Sequence, residues 1–413
     1  MQAALLRTNR DYRLLFSASA VSNLADGISM VAIPWLATLL TSDPLLISMI
    51  AVAQRLPWLL FALPVGVWTD RSDRRLLMVR ADVVRLALMI CAVGMISTTA
   101  NLPSPAESGS AAIFSLAVIA FLLGCAEVVR DNTAQTILPS LVAPSDLEHA
   151  NGQMWSAEQV TGQFIGPPLA GLLIAAGIAI PFGLDASFYA VSAALVWLIV
   201  LPPRKPSGIV SFWPALREGL GWMRRNTMIL RLAIMLGAVN AIFVGGMTVL
   251  VLYAQEVLDL SAIAYGVLLT CGAVGGVLGG LASPWFARRL GARTSLVLAL
   301  CTFALFNLVL GLSSSAPLVA VGLFLEAAAG MLWNVVTVSY RQRLIPDELL
   351  GRVNSVYRFF GWGAMSFGAF AAGVLVTIAE PAFGRIEALH MPYLIGAAVC
   401  AVLAVYGLLR LRF

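Results

Sequence analysis

The sequence predicts an all-α membrane protein, with twelve transmembrane helices in two pseudo-symmetric six-helix bundles. Three observations lead there. Of the 413 residues 60% are hydrophobic, only 11% are charged, and the mean hydropathy is +0.90, a composition that only a bilayer solvates. About twelve apolar stretches follow one another, each near the roughly 20 residues that cross the hydrocarbon. Finally, the proline-rich basic break Pro202-Pro203-Arg204-Lys205-Pro206-Ser207-Gly208 falls near the midpoint, with six stretches on either side. The chain therefore reads as a bundle over 1–201, a linker with an amphipathic helix over 202–227, and a second bundle over 228–413.

In the first half the spans are expected at 14–40, 46–68, 76–98, 112–138, 150–177 and 184–201. Ser42-Asp43-Pro44 makes a short external turn, and 101–110, with two prolines and no Lys or Arg, makes an external loop. After the break, 212–226 sets Arg217, Arg224 and Arg225 against Phe212, Leu216, Leu220 and Trp222, as an interfacial helix does. The second half has spans at 228–255, 263–287, 295–312, 317–340, 351–378 and 392–410. It faintly repeats the first. Arg288-Arg289-Leu290-Gly291-Ala292-Arg293 follows its second span, and Pro346-Asp347-Glu348-Leu349-Leu350 with Asn354 echoes Pro144-Ser145-Asp146-Leu147 with Asn151 before the fifth. Two related halves with a site between them are what alternating access requires.

Charge placement sets the orientation. Of the 26 Lys and Arg residues, Arg55, Arg85 and Arg130 fall inside spans and Arg385 on the outer side, and the others fall on one face. That asymmetry puts both termini in the cytoplasm. The net charge of +5 then reports membrane orientation, not nucleic-acid binding. Arg7, Arg10 and Arg13 precede a stretch of full spanning length, so no cleavable leader is expected. The cysteines are scattered without a C-x-x-C pair, so neither a disulfide framework nor a metal site is expected, and no cofactor is implied. His149 and His390, near span ends, are expected to be solvated loop residues.

A charge inside hydrocarbon costs roughly 2.5–3.5 kcal/mol even on insertion scales, so each one needs a reason. Asp26 lies near the middle of the first span, about 18 Å from its cytoplasmic end at 1.5 Å per residue, with Ser19, Ser22 and Asn23 on its polar side. Arg55 lies near the middle of the second span; the alternative to proton carriage is that Asp26 or Glu127 pairs permanently, for instance with Arg55, and only holds the bundle together. The fourth span carries Glu127, Arg130 and Asp131 on one face, where Arg130 can neutralise either acid. Glu158 and Glu326 lie in the fifth and tenth spans. A carboxylate in a low-dielectric cavity keeps its proton more readily than one in water and can exchange it near neutral pH. Asp26 and Glu127 are therefore candidate proton carriers, with Glu158 and Glu326 as further candidates.

The turn between the second and third spans is Gly66-Val67-Trp68-Thr69-Asp70-Arg71-Ser72-Asp73-Arg74-Arg75. A plain cytoplasmic loop needs arginines, but neither the glycine nor the two aspartates. Gly66 lets helices approach closely, Asp70 suits a positive helix N-terminus, and the arginines suit carboxylates. The spacing G-x-x-x-D-R-x-D-R-R resembles the loop 2–3 signature of the major facilitator superfamily, whose fold is this double bundle and whose members are secondary transporters. The resemblance implies that Asp131 completes a relay with Asp70 and Arg74 that latches the inward gate. In the fifth span, Gly162-Gln163-Phe164-Ile165-Gly166-Pro167-Pro168-Leu169-Ala170-Gly171 resembles the superfamily's antiporter motif, with alanine at one glycine position. That likeness implies export coupled to inward proton flow. Asn9-Arg10-Asp11-Tyr12-Arg13, Asn23-Leu24-Ala25-Asp26-Gly27, Glu127 with Leu138-Pro139-Ser140-Leu141-Val142, and Leu147 with Ala150-Asn151 resemble the bacterial drug and siderophore exporter branch, which includes macrolide efflux and enterobactin export proteins.

Direct use of ATP is not expected, because the only lysine, Lys205, lies in no G-x-x-x-x-G-K motif. An enzyme is not expected either: no G-x-S-x-G elbow or H-E-x-x-H pair stands out. The expected function is a proton-coupled antiporter that exports a small amphipathic molecule, such as a drug or siderophore, from one chain in the cytoplasmic membrane. Arg55, Trp58, Trp155, Asn240, Trp333, Asn334 and Tyr357 are candidate substrate contacts. An uptake carrier of the same fold, and a lipid-handling membrane protein, are the alternatives.

Overall fold

In hydrocarbon every backbone N–H and C=O must be satisfied within the chain, which makes the helix the solution for an open segment. The computed structural model describes residues 4–99, 110–143, 146–201 and 212–411, and these are helical almost throughout, with no strand among them. The short helix α1 (Ala4–Thr8) leads into α2 (Arg10–Leu40), α3 (Pro44–Arg71), α4 (Arg74–Thr98) and α5 (Ser110–Leu141). Then come α6 (Leu147–Glu158), a π-helical segment (Gln159–Ile165), α7 (Gly166–Ala176) and α8 (Ala179–Trp197). The rest is α9 (Phe212–Arg225), α10 (Thr227–Glu256), α11 (Ala262–Leu312), α12 (Ala316–Leu344), α13 (Asp347–Phe383) and α14 (Arg385–Arg410).

Among the described residues nine helices are long and apolar enough to cross a membrane. One of them, α11, is two helices joined at Gly291, whose φ of 77° suits a residue without a side chain. The expected fifth span is divided into α6, the π segment and α7. The third, α4, carries Arg80, Asp82 and Arg85 along its length. Large apolar side chains point outward, with Leu281 76% and Phe114 70% exposed. Such exposure is a liability in water and is what lipid requires.

The chain divides into two compact units. The first takes Met1–Ser42, Ala53–Ile209 and Ser261–Val267; the second takes Asp43–Val52, Val210–Leu260 and Leu268–Phe413. In the first unit α8 packs along both α2 and α4, and α4 packs on α5. One core cluster there includes Tyr12, Leu15, Met78, Ile137 and Val196, all buried. Asn9 caps α2 by accepting the Tyr12 N–H at 2.9 Å and ties it to α5 by donating to the Leu141 carbonyl at 2.6 Å.

In the second unit α10 and α13 are the most closely packed pair. Small residues permit this: a Cβ on Gly245 would stand 2.8 Å from the Gly368 carbonyl, and one on Gly368 would collide with the Ala241 backbone. The amphipathic α9 is held to this unit, with Met223 in its core and Leu220 and Trp222 packed against it. At the far end Arg385 bonds Glu256 at 2.8 Å and Glu380 at 3.1 Å, tying α14 to α10 and α13. His390 corrects an expectation. It is a buried residue of α14, not a loop residue, with Nδ1 2.8 Å from the Leu310 carbonyl and its ring edge-on to Tyr253. The linker residues 202–211 lie outside the described residues.

Replacing Gly368 with valine is expected to cost roughly 1–3 kcal/mol through overpacking and to lower the thermal midpoint of the purified protein. Gly94→Ala, whose Cβ would meet nothing within 4 Å, should leave that midpoint unchanged.

Candidate functional site

The first unit buries a chain of charges drawn from four helices. On α2, Ser19, Ser22, Asp26 and Ser29 repeat at three- and four-residue steps and form one polar stripe. On α8, Asp185, Tyr189 and Ser192 form another. Asp82 and Arg85 lie one turn apart on α4, and α5 contributes Arg130. Asp82, Arg85, Arg130, Asp185 and Ser192 are all 2% exposed or less.

Their contacts are specific. Arg85 bonds Asp26 on α2, donates to Ser22 Oγ at 2.9 Å, and approaches Asp82 to 3.7 Å. Its guanidinium stacks 4.2 Å over the ring of Tyr189, whose hydroxyl donates to the same Asp26 oxygen at 3.0 Å. Arg130 Nε donates to Asp82 Oδ1 at 3.1 Å, while Ser192 donates to Asp82 Oδ2 at 2.6 Å. Ser29 donates to Asp185 Oδ2 at 2.6 Å. Alternating acids and arginines thus cross the bundle interior. The ion pairs of Asp26 with Arg85 and of Asp82 with Arg130 are tolerable in the interior because each charge meets its opposite and serine and tyrosine hydroxyls take up further bonds.

Two sequence-based pairings are corrected. The cation on Asp26 is Arg85, not Arg55. The backbone of α3 turns Arg55 outward as an exposed residue, although it stays within electrostatic reach of Glu127. Arg130 is claimed by Asp82 on the neighbouring helix, not by its own-helix acids, and approaches Asp131 only to 3.9 Å. Glu127 is half-buried, shares a side-chain hydrogen bond with Trp58, and has Asp26, Arg55 and Arg85 as charged neighbours.

The charged turn is clamped to its surroundings. Asp73 caps α4 by accepting the Leu76 N–H at 3.1 Å. Arg74 donates to the Thr136 carbonyl of α5 at 2.7 Å, and Arg75 donates to the Ile199 carbonyl at 3.3 Å and lies over the Trp197 ring. The surroundings of Gly66 and the side chains of Asp70 and Arg71 lie outside the described residues. The described contacts of the expected latch therefore join Arg74 to Thr136 and Asp131 to Arg130.

In the glycine-proline motif, a Cβ on Gly27 would fall on the backbone of Gly162, and one on Gly166 would stand 2.6 Å from the Gly27 Cα. Gly171 is equally close to Ala262, at 2.5 Å from its carbonyl. Pro167 and Pro168 supply no N–H at the start of α7. The turn before them widens, with the Gly166 N–H bonding the Thr161 carbonyl five residues back. Such π segments cluster at functional sites.

The remaining candidates scatter. Glu158, exposed, ends α6 at the start of the π segment, and Trp155 beside it is 48% exposed. Glu326 is buried on α12 and lines a small pocket with Phe243, Gly246, Phe306, Asn307 and Tyr393. Asn240 is committed to packing through the Gly361 carbonyl at 3.0 Å. Trp333 and Tyr357 are core residues of the second unit, Tyr357 with Arg341 stacked 3.8 Å over its ring. Asn334 is exposed. Asp82, Arg85, Asp185 and Tyr189 belong to the site although sequence reasoning did not select them. The readable signals were the acid–arginine step at 82 and 85 and the acid–tyrosine step at 185 and 189.

A profile for transmembrane secretion effectors, a family within the major facilitator superfamily, matches residues 3–410. The multidrug efflux pump Tap of Mycolicibacterium fortuitum is 25% identical over 401 residues, covering 94% of this chain and 95% of the relative. The enterobactin exporter EntS of Shigella boydii serotype 4 is 26% identical over 392 residues, covering 92% and 89%. Among solved structures, a bacterial homologue of the iron transporter ferroportin superposes with a TM-score of 0.75 at 17% identity, covering 97% of this chain and 99% of that one. A variant of the nucleoside transporter NupG gives 0.76 at 12%, covering 96% and 98%. At such identities the structural likeness shows the fold alone.

Asp82→Leu should destabilise the protein by about 3–5 kcal/mol, because it strands Arg130 without its bonded counter-charge. Asp82→Leu combined with Arg130→Met should recover most of that loss. Thermal unfolding of the two single variants and the double variant reads the coupling directly.

Proposed function

The chain belongs to the transmembrane secretion effector family of the major facilitator superfamily, it is a multi-pass membrane transporter and not an enzyme, and we propose that it exports a small amphipathic molecule in exchange for protons. One observation carries the coupling. Among the described residues, Asp26, Asp82, Glu127, Asp131 and Asp185 gather around two buried cations, Arg85 and Arg130. Five carboxyls beside two buried arginines, with Arg55 near Glu127 alone, leave a place for a neutralising cation. Protons are the simplest neutralising species, and a transporter that moves them gains a driving force.

The direction of transport rests on the efflux and export functions named for the relatives Tap and EntS and on the glycine-proline motif folded against Gly27. The drive rests on the lack of any nucleotide loop around Lys205. In this reading Asp26 is held by Arg85 and Tyr189, and Glu127, which shares a hydrogen bond with Trp58, is the exchanging carboxyl. Glu326, which makes no ion pair among the described residues, is the matching group of the second unit. The two halves, 1–201 and 228–413, rock against each other in a bacterial inner membrane. Both termini are cytoplasmic, in keeping with the basic asymmetry of the loops, and one chain, holding both halves, is the working unit.

Inverted vesicles loaded with a panel of amphipathic drugs and catecholate siderophores test the proposal. Accumulation of at least one compound should collapse on adding a protonophore, and Glu127→Gln should lower it to the level of vesicles lacking the protein. Accumulation indifferent to the protonophore would refute proton coupling. An inward flux into intact cells, driven by an imposed gradient, would assign uptake instead.

A further inference from the structure

Two unused hydrogen-bonding atoms in the buried network are complementary. Asp185 is 0% exposed and accepts Ser29 Oγ on Oδ2, while its Oδ1 finds no hydrogen-bond partner among the described residues. Arg85, 2% exposed, spends its two terminal nitrogens on Asp26, Ser22 and Asp82, while its Nε–H finds no partner among them either. Orphaned buried polar atoms are rare enough to need an explanation, and here one is an acceptor and the other a donor. The two residues are electrostatic neighbours.

A count of charges explains why they stay apart. Asp26 and Asp82 already occupy Arg85 and Arg130. From α2 the groups facing Asp185 are Asp26 and Ser29. From α4 they are Arg85 and, a turn away, Asp82, itself bound to Arg130 and Ser192. The helix α7 has no ionisable residue, and α8 offers Tyr189 one turn on. Asp185 therefore shares Arg85 with Asp26 and Asp82 and has no ion pair of its own among the described residues, and a buried carboxylate without one is costly. We propose that Asp185 is a proton-binding site: it holds an exchangeable proton while Arg85 is engaged with Asp26, and on losing that proton it takes the unused Nε–H of Arg85.

In that step the O–H bond of Asp185 breaks, the proton leaves to water, and the electron pair remains on Oδ1, which accepts from Arg85. Arg85 then bridges α4 to α8 as well as to α2, so occupancy by one proton changes which helices are tied together. The proposal rests on the proton-coupled reading above and adds to it a site on α8 distinct from Asp26 and Glu127.

The test uses the full chain in proteoliposomes. Infrared difference spectra between acid and alkaline buffer should show the carbonyl stretch of a protonated carboxyl that disappears in Asp185→Asn. In the same variant, an isostere of the neutral acid, an imposed pH gradient should no longer accelerate substrate transport. A band that persists in Asp185→Asn, or a variant still driven by the gradient, overturns the proposal and leaves proton coupling standing. Wild-type protein indifferent to the gradient overturns the coupling reading and the exchange role together. If Asp185→Asn does not fold, Ser29→Ala removes the bond to Oδ2 and should shift the same band; an unshifted band then overturns the proposal.

Discussion

The first unit depends on the requirement that a charge taken out of water meet its opposite at hydrogen-bond distance. Arg85 and Arg130 make that possible for Asp26 and Asp82, and the pairs extend from α2 through α4 to α5. Other features follow from it. The serines at 22, 29 and 192 fill bonds that the ions leave open. Tyr189 supplies both a π face for a guanidinium and a hydroxyl for a carboxylate. Buried ion pairs are weak contributors to stability, since desolvation offsets most of the attraction. Their presence across the middle of a bundle is better understood as a set of alternative pairings than as cement.

Close backbone approach is the second constraint. The contact of α2 with the π segment exists because Gly27, Gly162 and Gly166 have no side chains to separate the backbones. The same device recurs between α10 and α13. In lipid there is no hydrophobic gain from joining two apolar helices, so packing at the shortest distances must supply the association. Where the backbones meet across glycine, prolines and a widened turn adjoin the contact. A segment whose internal bonds are already irregular changes its curvature more readily than a regular helix.

Much of this was legible in the residues. Spans could be read from length and hydropathy because the bilayer demands both, and family membership from the spacing around Asp70 and from Gly162 through Gly171. The partners of the buried charges were not legible. Arg55 and Arg85 look alike along the chain, and only the rotation of α3 and α4 about their axes turns one outward and the other onto Asp26. Arg130 has acids at its own helical spacing, yet a carboxylate on α4 wins, because a neighbouring helix offers a straighter approach than a side chain one turn away. Asp185 carries a polar stripe with Tyr189 and Ser192, but the sequence does not show that this stripe turns toward Ser29 and Arg85. His390 lies near the end of a span, yet α14 continues past it and turns its ring inward onto Tyr253. For these residues the information lies in tertiary geometry, which periodicity does not encode.

The bond between Trp58 and Glu127 has a practical consequence. Indole emission responds to what its N–H donates to, and this indole donates to an ionisable group at the heart of the machinery. The chain thus carries an intrinsic optical observer of its own chemistry. A protein in which the other nine tryptophans were replaced would glow from that place alone, with no label attached.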